Sequence, residues 1–174
     1  MDIILTFDVG TTSMKCCAFD TVFNLIDSST AEYALDTRGE HIVEADPLIY
    51  WDGMCKSIKK LFSGNVSKEN VVACGITTQG ETSIVLDKHG DPLRPAIVWL
   101  DDRAESEAAF LSENISAEKF YKTTGMPEIG GALPLAKLKM VLSDKNTGGK
   151  VSKVLLLEDY LVYKLTGVIS TEHS

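Results

Sequence analysis

The sequence predicts an α/β fold, a mixed sheet flanked by helices, and three observations predict it. Residues 2–8 ("DIILTFD"), 14–20 ("MKCCAFD") and 24–34 ("NLIDSSTAEYA") read as short strands joined by turn-rich links, the pattern of an antiparallel meander. The stretch "EADPLIYWDGMCKSIKKLF" then changes period: Trp51, Met54, Cys55, Ile58, Leu61 and Phe62 recur at helical spacing. Asp46 can cap that helix, and Pro47 suits its first turn. Last, "NVVACGITTQ" (70–79) is a largely apolar run, the kind of strand that is buried on both faces.

The resulting β-β-β-α-β order is that of the ribonuclease-H-like fold, which actin-type ATPases and many sugar kinases share. Beyond it, "TSIVLD" (82–87) and "PAIVWLDDR" (95–103) read as strands about a turn at 88–92, the second keeping strand character through Trp99. Residues 104–114 and 116–125 read as helices, the latter capped by Ser116 and stopped by Gly125. A Gly/Pro-rich loop (125–134) leads to a helix at 135–144. "KVLLLEDYLVYKLTG" (153–167) reads as a strand running into a helix that stops at Gly167, and "VISTEHS" as the start of another strand.

Composition narrows the function classes. The chain has 174 residues, 44% hydrophobic and 24% charged, the balance of a folded protein with room for one good-sized core or one domain with an elaboration. A formal charge of −8 argues against a nucleic-acid or anionic-membrane partner, both of which need clustered Lys and Arg. No run approaches the ~18 apolar residues of a membrane helix, and "MDIILTF" is too short and acidic for a secretory signal. The expected location is the cytoplasm. Cys16, Cys17, Cys55 and Cys74 are accordingly read as reduced, mostly buried thiols, and the sequons at Asn65 and Asn114 as unused.

Three motifs carry chemistry. In "FDVGTTSMK", Asp8 ends the first strand, Gly10 permits close backbone approach, and Thr11, Thr12 and Ser13 place hydroxyls beside backbone N–H groups. Such a turn can form an anion nest, with Asp8 toward Mg²⁺ and Lys15 toward phosphate; it is equally good hairpin chemistry. In "TTQGETS", Gln79, Gly80 and Glu81 fall at the carboxyl end of the apolar strand, where ligands bind in open α/β sheets, although a polar turn would look the same. In "VWLDDRAE", Trp99 offers a platform for the C–H face of a sugar, and Asp101 and Asp102 offer acceptors. Arg103 can fix one of them bidentately; Asp102 suits equally a helix cap with an exposed ion pair. His41, His89 and His173 receive no role, His41 and His173 for want of partners.

Taken in order, "DVGTTSMK", "EADP", "TTQGETSIVLDKHGDPLRPAIVWLDDR", "TTGMPE" and "LLLEDYLVYKLTG" with "STEHS" resemble the FGGY family of carbohydrate kinases, from Ile3 to Ser174. The resemblance implies ATP and Mg²⁺ as cofactors and a small-molecule sugar or polyol as substrate. Asp8 would help position Mg²⁺-ATP, with Gly10, Thr11, Thr12 and Lys15 near the phosphates. Gln79, Gly80, Glu81, Trp99 and Asp101 would form the sugar side. Glycerol kinases carry Arg-Glu after the Gln and xylulose kinases Met-His, whereas Gly80-Glu81 stands here, so a different sugar or polyol is expected. Family members are much longer, with a second, ATP-binding domain. The resemblance therefore makes 1–174 an incomplete N-terminal, sugar-binding domain, inactive alone, whose general-base aspartate lies beyond Ser174. A homodimer is among the expected assemblies. The alternatives are a non-catalytic sugar- or nucleotide-binding module, or a truncated gene product; the sugar-side motifs disfavour an actin- or chaperone-like ATPase.

Overall fold

Alternation of apolar and polar residues organises the first strand, β1 (Ile3–Val9). Ile3, Leu5, Phe7 and Val9 are buried on one face. The computed structural model describes residues 1–171. Strand β2 (Ser13–Asp20) runs antiparallel to β1 and sets Met14, Cys16 and Ala18 opposite Val9, Phe7 and Leu5, so both strands feed one core. Strand β3 (Leu25–Glu32) runs antiparallel to β2 and completes the predicted meander.

The chain continues through β4 (Asp36–Arg38) and β5 (Ile42–Ala45) into helix α1 (Pro47–Phe62). The Asp46 side chain accepts from the Leu48 N–H at 2.9 Å, and Pro47 takes the first turn, as its fixed φ and missing N–H favour. Tyr50, Gly53, Met54, Ser57 and Leu61 form the buried stripe, which packs on β2 and β3. Strand β6 (Val71–Thr78) then pairs parallel with β1, giving the order β3-β2-β1-β6.

The chain divides into two compact units. The first holds this sheet, α1 and the last helix, α5 (Leu157–Thr166), which packs on β6 and ends at Gly167, φ +74°. The second, residues 36–45 and 81–156, is built on an antiparallel sheet with order β4-β5-β8-β7-β9. Its further strands are β7 (Ser83–Leu86), β8 (Ala96–Ile97) and β9 (Lys153–Leu156). Its helices are α2 (Glu105–Asn114), α3 (Ala117–Thr124) and α4 (Pro134–Ser143). Ser116 caps α3 and Gly125 ends it at φ +74°, as its sequence predicts. Val85, Ile97 and Val141 form one core cluster of this unit, and Ala104, Ala108 and Ala136 another.

Four expectations are corrected. Strand β6 is not buried on both faces: among the described residues β1 is its one strand neighbour, and Val72 is 59% exposed. Cys74 on the same strand is exposed, so the thiols are not mostly buried; only Cys16 is. Residues 36–45, given no element from the sequence, form β4 and β5. Strand β8 stops at Ile97, because the next residues fold into a turn in which the Asp101 N–H donates to the Val98 carbonyl at 2.9 Å. Residues 168–171 adopt no strand, and the rest of "STEHS", with His173, lies outside the described residues.

Candidate functional site

Chemistry-bearing residues of the first unit gather where β1 passes into β2. Asp8 stands opposite Lys15 on β2 and beside Thr77 on β6, and Thr30 of β3 lies beyond Lys15. Partners in register share a face, so a polar row crosses the sheet on the side opposite Phe7 and Val9. Asp8 and Lys15 are both exposed. The turn that follows is closed by the Gly10 N–H donating to the Ser13 carbonyl at 2.9 Å. A β carbon at Gly10 would stand 3.2 Å from that oxygen, which favours glycine there. Thr11 and Thr12 occupy the tip.

Hydrogen bonding also seats Gln79 beside this turn, its N–H donating to the Val9 carbonyl at 2.8 Å. The Gln79 side-chain Nε2 donates to the Tyr50 hydroxyl at 3.1 Å, while its Oε1 is buried with no protein partner. Thr78 donates to Glu158 at the start of α5, at 2.7 Å. A hard divalent cation takes six or more oxygen ligands. Asp8 is one carboxylate, and no group of three His, Cys, Asp or Glu among the described residues could cage an ion. Asp8 would supply one ligand of such a cation, and the rest of its shell would have to come from water and phosphate.

The second unit carries a different kind of site. Glu81 adopts φ +66°, a left-handed conformation costly for a residue with a side chain, whereas Gly80 does not. Trp99 is 40% exposed, and its backbone N–H donates to the Thr82 hydroxyl at 3.3 Å. Asp101 is fully buried. Its Oδ2 accepts from the Val43 N–H at 2.8 Å, and Arg103 Nε reaches both carboxylate oxygens at 2.9 Å. Burial alone would raise the Asp101 carboxyl, but Arg103 and the Val43 amide outweigh it and hold the group below the usual carboxylate range. Buried Glu44 accepts in turn from Arg94 at 2.6 Å, from Arg103 at 3.0 Å and from Arg38.

Sequence reasoning anticipates the Asp101–Arg103 pair but not its burial. It misses Glu44, Tyr33 and Lys137. Lys137 is fully buried on α4 and donates from Nζ to the carbonyls of Val98 at 2.9 Å and Trp99 at 3.4 Å. Burial pushes its ammonium down to about 8, against the neighbouring Asp101 and Glu81 carboxylates. Its place on the stripe with Ala136 and Val141 is the signal that could have found it. Two further corrections apply. His41 has a partner, Asp102, at 2.7 Å, and Asp102 does not cap α2, whose N-cap is Ala104 with no side-chain cap bond. Two open grooves, about 470 Å³ along α5 and about 480 Å³ beside Asp87 and Lys150, are lined by none of the candidate residues.

Residues 3–174 match the family model for the FGGY family of carbohydrate kinases, N-terminal domain. The chain belongs to the FGGY family. It is similar to the xylulose kinase of Lactococcus lactis, 31% identical over the whole of this chain and 35% of that protein. It is equally similar to a glycerol kinase of Saccharolobus islandicus, 31% identical over 94% of this chain and 33% of the relative. The crystal structure of Plasmodium falciparum glycerol kinase with ADP superposes with a TM-score of 0.83 at 26% identity, covering 96% of this chain and 35% of that one. The ribonuclease-H-like expectation therefore holds for this FGGY chain, with a second, antiparallel sheet added. The chain spans about a third of the length of the curated relatives it matches.

Proposed function

We propose that this chain is the N-terminal, sugar-binding domain of an ATP-dependent carbohydrate kinase that transfers the γ-phosphoryl group to a hydroxyl of a sugar or polyol. The observation that supports this most is the exposed Asp8 beside the Gly10–Ser13 turn in a chain of this family. Asp8 would hold Mg²⁺, which, when bound with ATP, neutralises charge on the transferring phosphoryl group. Lys15 and the Gly10, Thr11 and Thr12 turn bind phosphate oxygens. Gln79 Oε1 waits as a buried acceptor for a hydroxyl beside Gly80. Trp99 and Glu81 take the sugar, Trp99 by its exposed ring and Glu81 as hydrogen-bond acceptor. Asp101, with both oxygens engaged, serves that side as a positioning residue.

The relatives are about three times as long, and the general base is assigned to the part of them that this chain does not match, so this domain alone should turn over nothing. The setting is cytoplasmic, consistent with four free thiols. The relatives name both xylulose and glycerol, and Gly80-Glu81 matches the signature of neither, so the acceptor is a different sugar or polyol.

A panel of pentoses, hexoses and polyols with Mg²⁺-ATP tests the longer protein. At least one acceptor should be phosphorylated, and Asp8→Ala should cut kcat by on the order of a hundredfold without shifting the melting temperature, because Asp8 is exposed. Intact nucleotide binding with no acceptor phosphorylated across the panel would overturn the kinase reading.

A further inference from the structure

Trp99 sits in a tight turn whose backbone is held from several sides. The Asp101 N–H closes the turn on the Val98 carbonyl at 2.9 Å, and the Val98 N–H donates to the Val43 carbonyl at 3.0 Å. The Trp99 N–H donates to the Thr82 hydroxyl at 3.3 Å. Lys137 reaches the same turn from helix α4. Its Nζ donates to the Val98 carbonyl at 2.9 Å and to the Trp99 carbonyl at 3.4 Å. The Val98 carbonyl therefore accepts twice, which its two lone pairs allow, and Trp99 is held at both its N–H and its C=O. A tryptophan on a fixed backbone keeps only two torsions of its own. Holding residues 98 and 99 thus limits where the indole can lie.

A lysine is a costly residue at this place. Lys137 is fully buried, on the stripe of α4 that also buries Ala136 and Val141. An ammonium taken out of water is unfavourable unless its donors are engaged, and these go to the carbonyls of the turn, with the Asp101 and Glu81 carboxylates near by. A methionine would fill a similar volume without that cost, so what the lysine adds is its hold on the turn. Thr82, which takes the Trp99 N–H, follows Glu81 directly in the chain. One short chain of bonds thus runs from the Glu81 backbone through Trp99 to Lys137.

We propose that Lys137 is a positioning residue for the acceptor: by holding the Val98 and Trp99 carbonyls it fixes the Trp99 ring relative to Glu81. This rests on the kinase reading only for the identity of what the ring meets.

The test reads the ring directly. With Trp51→Phe as background, Trp99 is the only tryptophan in the chain, and its fluorescence anisotropy and its quenching by acrylamide report its freedom. Lys137→Met keeps the volume and removes the donors, so it should lower the anisotropy and raise the quenching. Lys137→Gln, which keeps an N–H donor, should recover part of both. Where Lys137→Met fails to fold, Lys137→Gln against the parent carries the same comparison. Val141→Ala is the control, because it opens the core beneath α4 and leaves the hydrogen bonds of the turn alone. An unchanged Trp99 in the folded Lys137 variants overturns the proposal. So does a Val141→Ala variant that frees Trp99 as much as Lys137→Met does, since that marks a general loosening. In the longer protein Lys137→Met should raise acceptor KM about tenfold, the order expected for one lost hydrogen bond, with ATP KM within about twofold. A freed ring with wild-type acceptor KM overturns the proposal and leaves the kinase reading standing. A freed ring in a protein whose parent phosphorylates no acceptor brings down the kinase reading and keeps Lys137 as the residue that holds Trp99.

Discussion

The Gly10–Ser13 turn and the Glu44–Asp101 network are both polar, and they are built in opposite ways. The turn is made of backbone: its carbonyls are drawn inward by Tyr33, and the charges beside it, Asp8 and Lys15, stand in solvent. The network is made of side chains: two buried carboxylates are saturated by Arg38, Arg94 and Arg103. A polar group can meet a ligand only if the protein has not already satisfied it. The turn leaves its charged neighbours exposed, whereas the network uses its charges to tie Glu44, Asp101 and the Val43 amide to the arginines. The difference separates residues left open to solvent from residues whose charges are already matched, and it yields graded predictions.

The largest effect should come from the network's hub. Glu44→Ala removes the carboxylate shared by three guanidinium groups and leaves their charge partly buried and unopposed, which costs about 3–5 kcal/mol for a buried pair. Urea unfolding of the variant should show a loss near that size. A loss below about 1 kcal/mol, the level of an exposed pair, would mean that the network is no more than surface decoration.

Lys137 sharpens the contrast through pH. Its folded-state ammonium titrates near 8, against an ordinary value of 10.5, because burial disfavours the charge. Between those values the unfolded chain binds the proton and the fold does not, so this group makes stability rise with pH from about 8 to about 10.5. Below about 8 both states are protonated and the slope vanishes. Urea midpoints from pH 7 to 10 should show that rise in the parent relative to Lys137→Met. Of the charges that face Lys137, Asp101 is held below the usual carboxylate range and Arg103 above its ordinary value, so neither changes state in this window. Parallel pH profiles for the two proteins would place the Lys137 ammonium in solvent contact instead.

The same contrast explains what could be read from the sequence. The first unit was legible because its signals are local: alternation in β1, the Asp46–Pro47 cap and the stripe of α1 all lie within about one element's length. The second unit depends on long-range contacts. Strands β4 and β5 are three and four residues long, and β5 finds its partner β8 some fifty residues on. Asp101 meets Val43 across 58 residues, and His41 meets Asp102 across 61, so neither spacing carries a signal. Strand β6 misled for another reason. Its composition is that of a buried strand, but position in the sheet sets exposure, and among the described residues β6 has one strand neighbour. Asp8, Lys15 and the Gly10–Ser13 turn fall together in the first unit; Tyr33, which hydrogen-bonds that turn, looks in sequence like any strand-end aromatic.

The smallest effect concerns Glu81, where position and strain coincide. A non-glycine residue at φ +66° gives up on the order of 1 kcal/mol relative to glycine, which enters that region freely. Glu81→Gly should therefore raise stability by about that amount, less the entropy that glycine adds to the unfolded chain. If Glu81 takes the sugar as proposed, the same change should weaken acceptor binding and leave nucleotide affinity alone. Opposite signs on the two readouts would identify Glu81 as a residue held in strain for its ligand, the reverse of Glu44, whose charge serves the fold. A variant that loses stability and keeps acceptor affinity would instead make Glu81 an ordinary turn residue, and would leave Trp99 to meet the sugar alone.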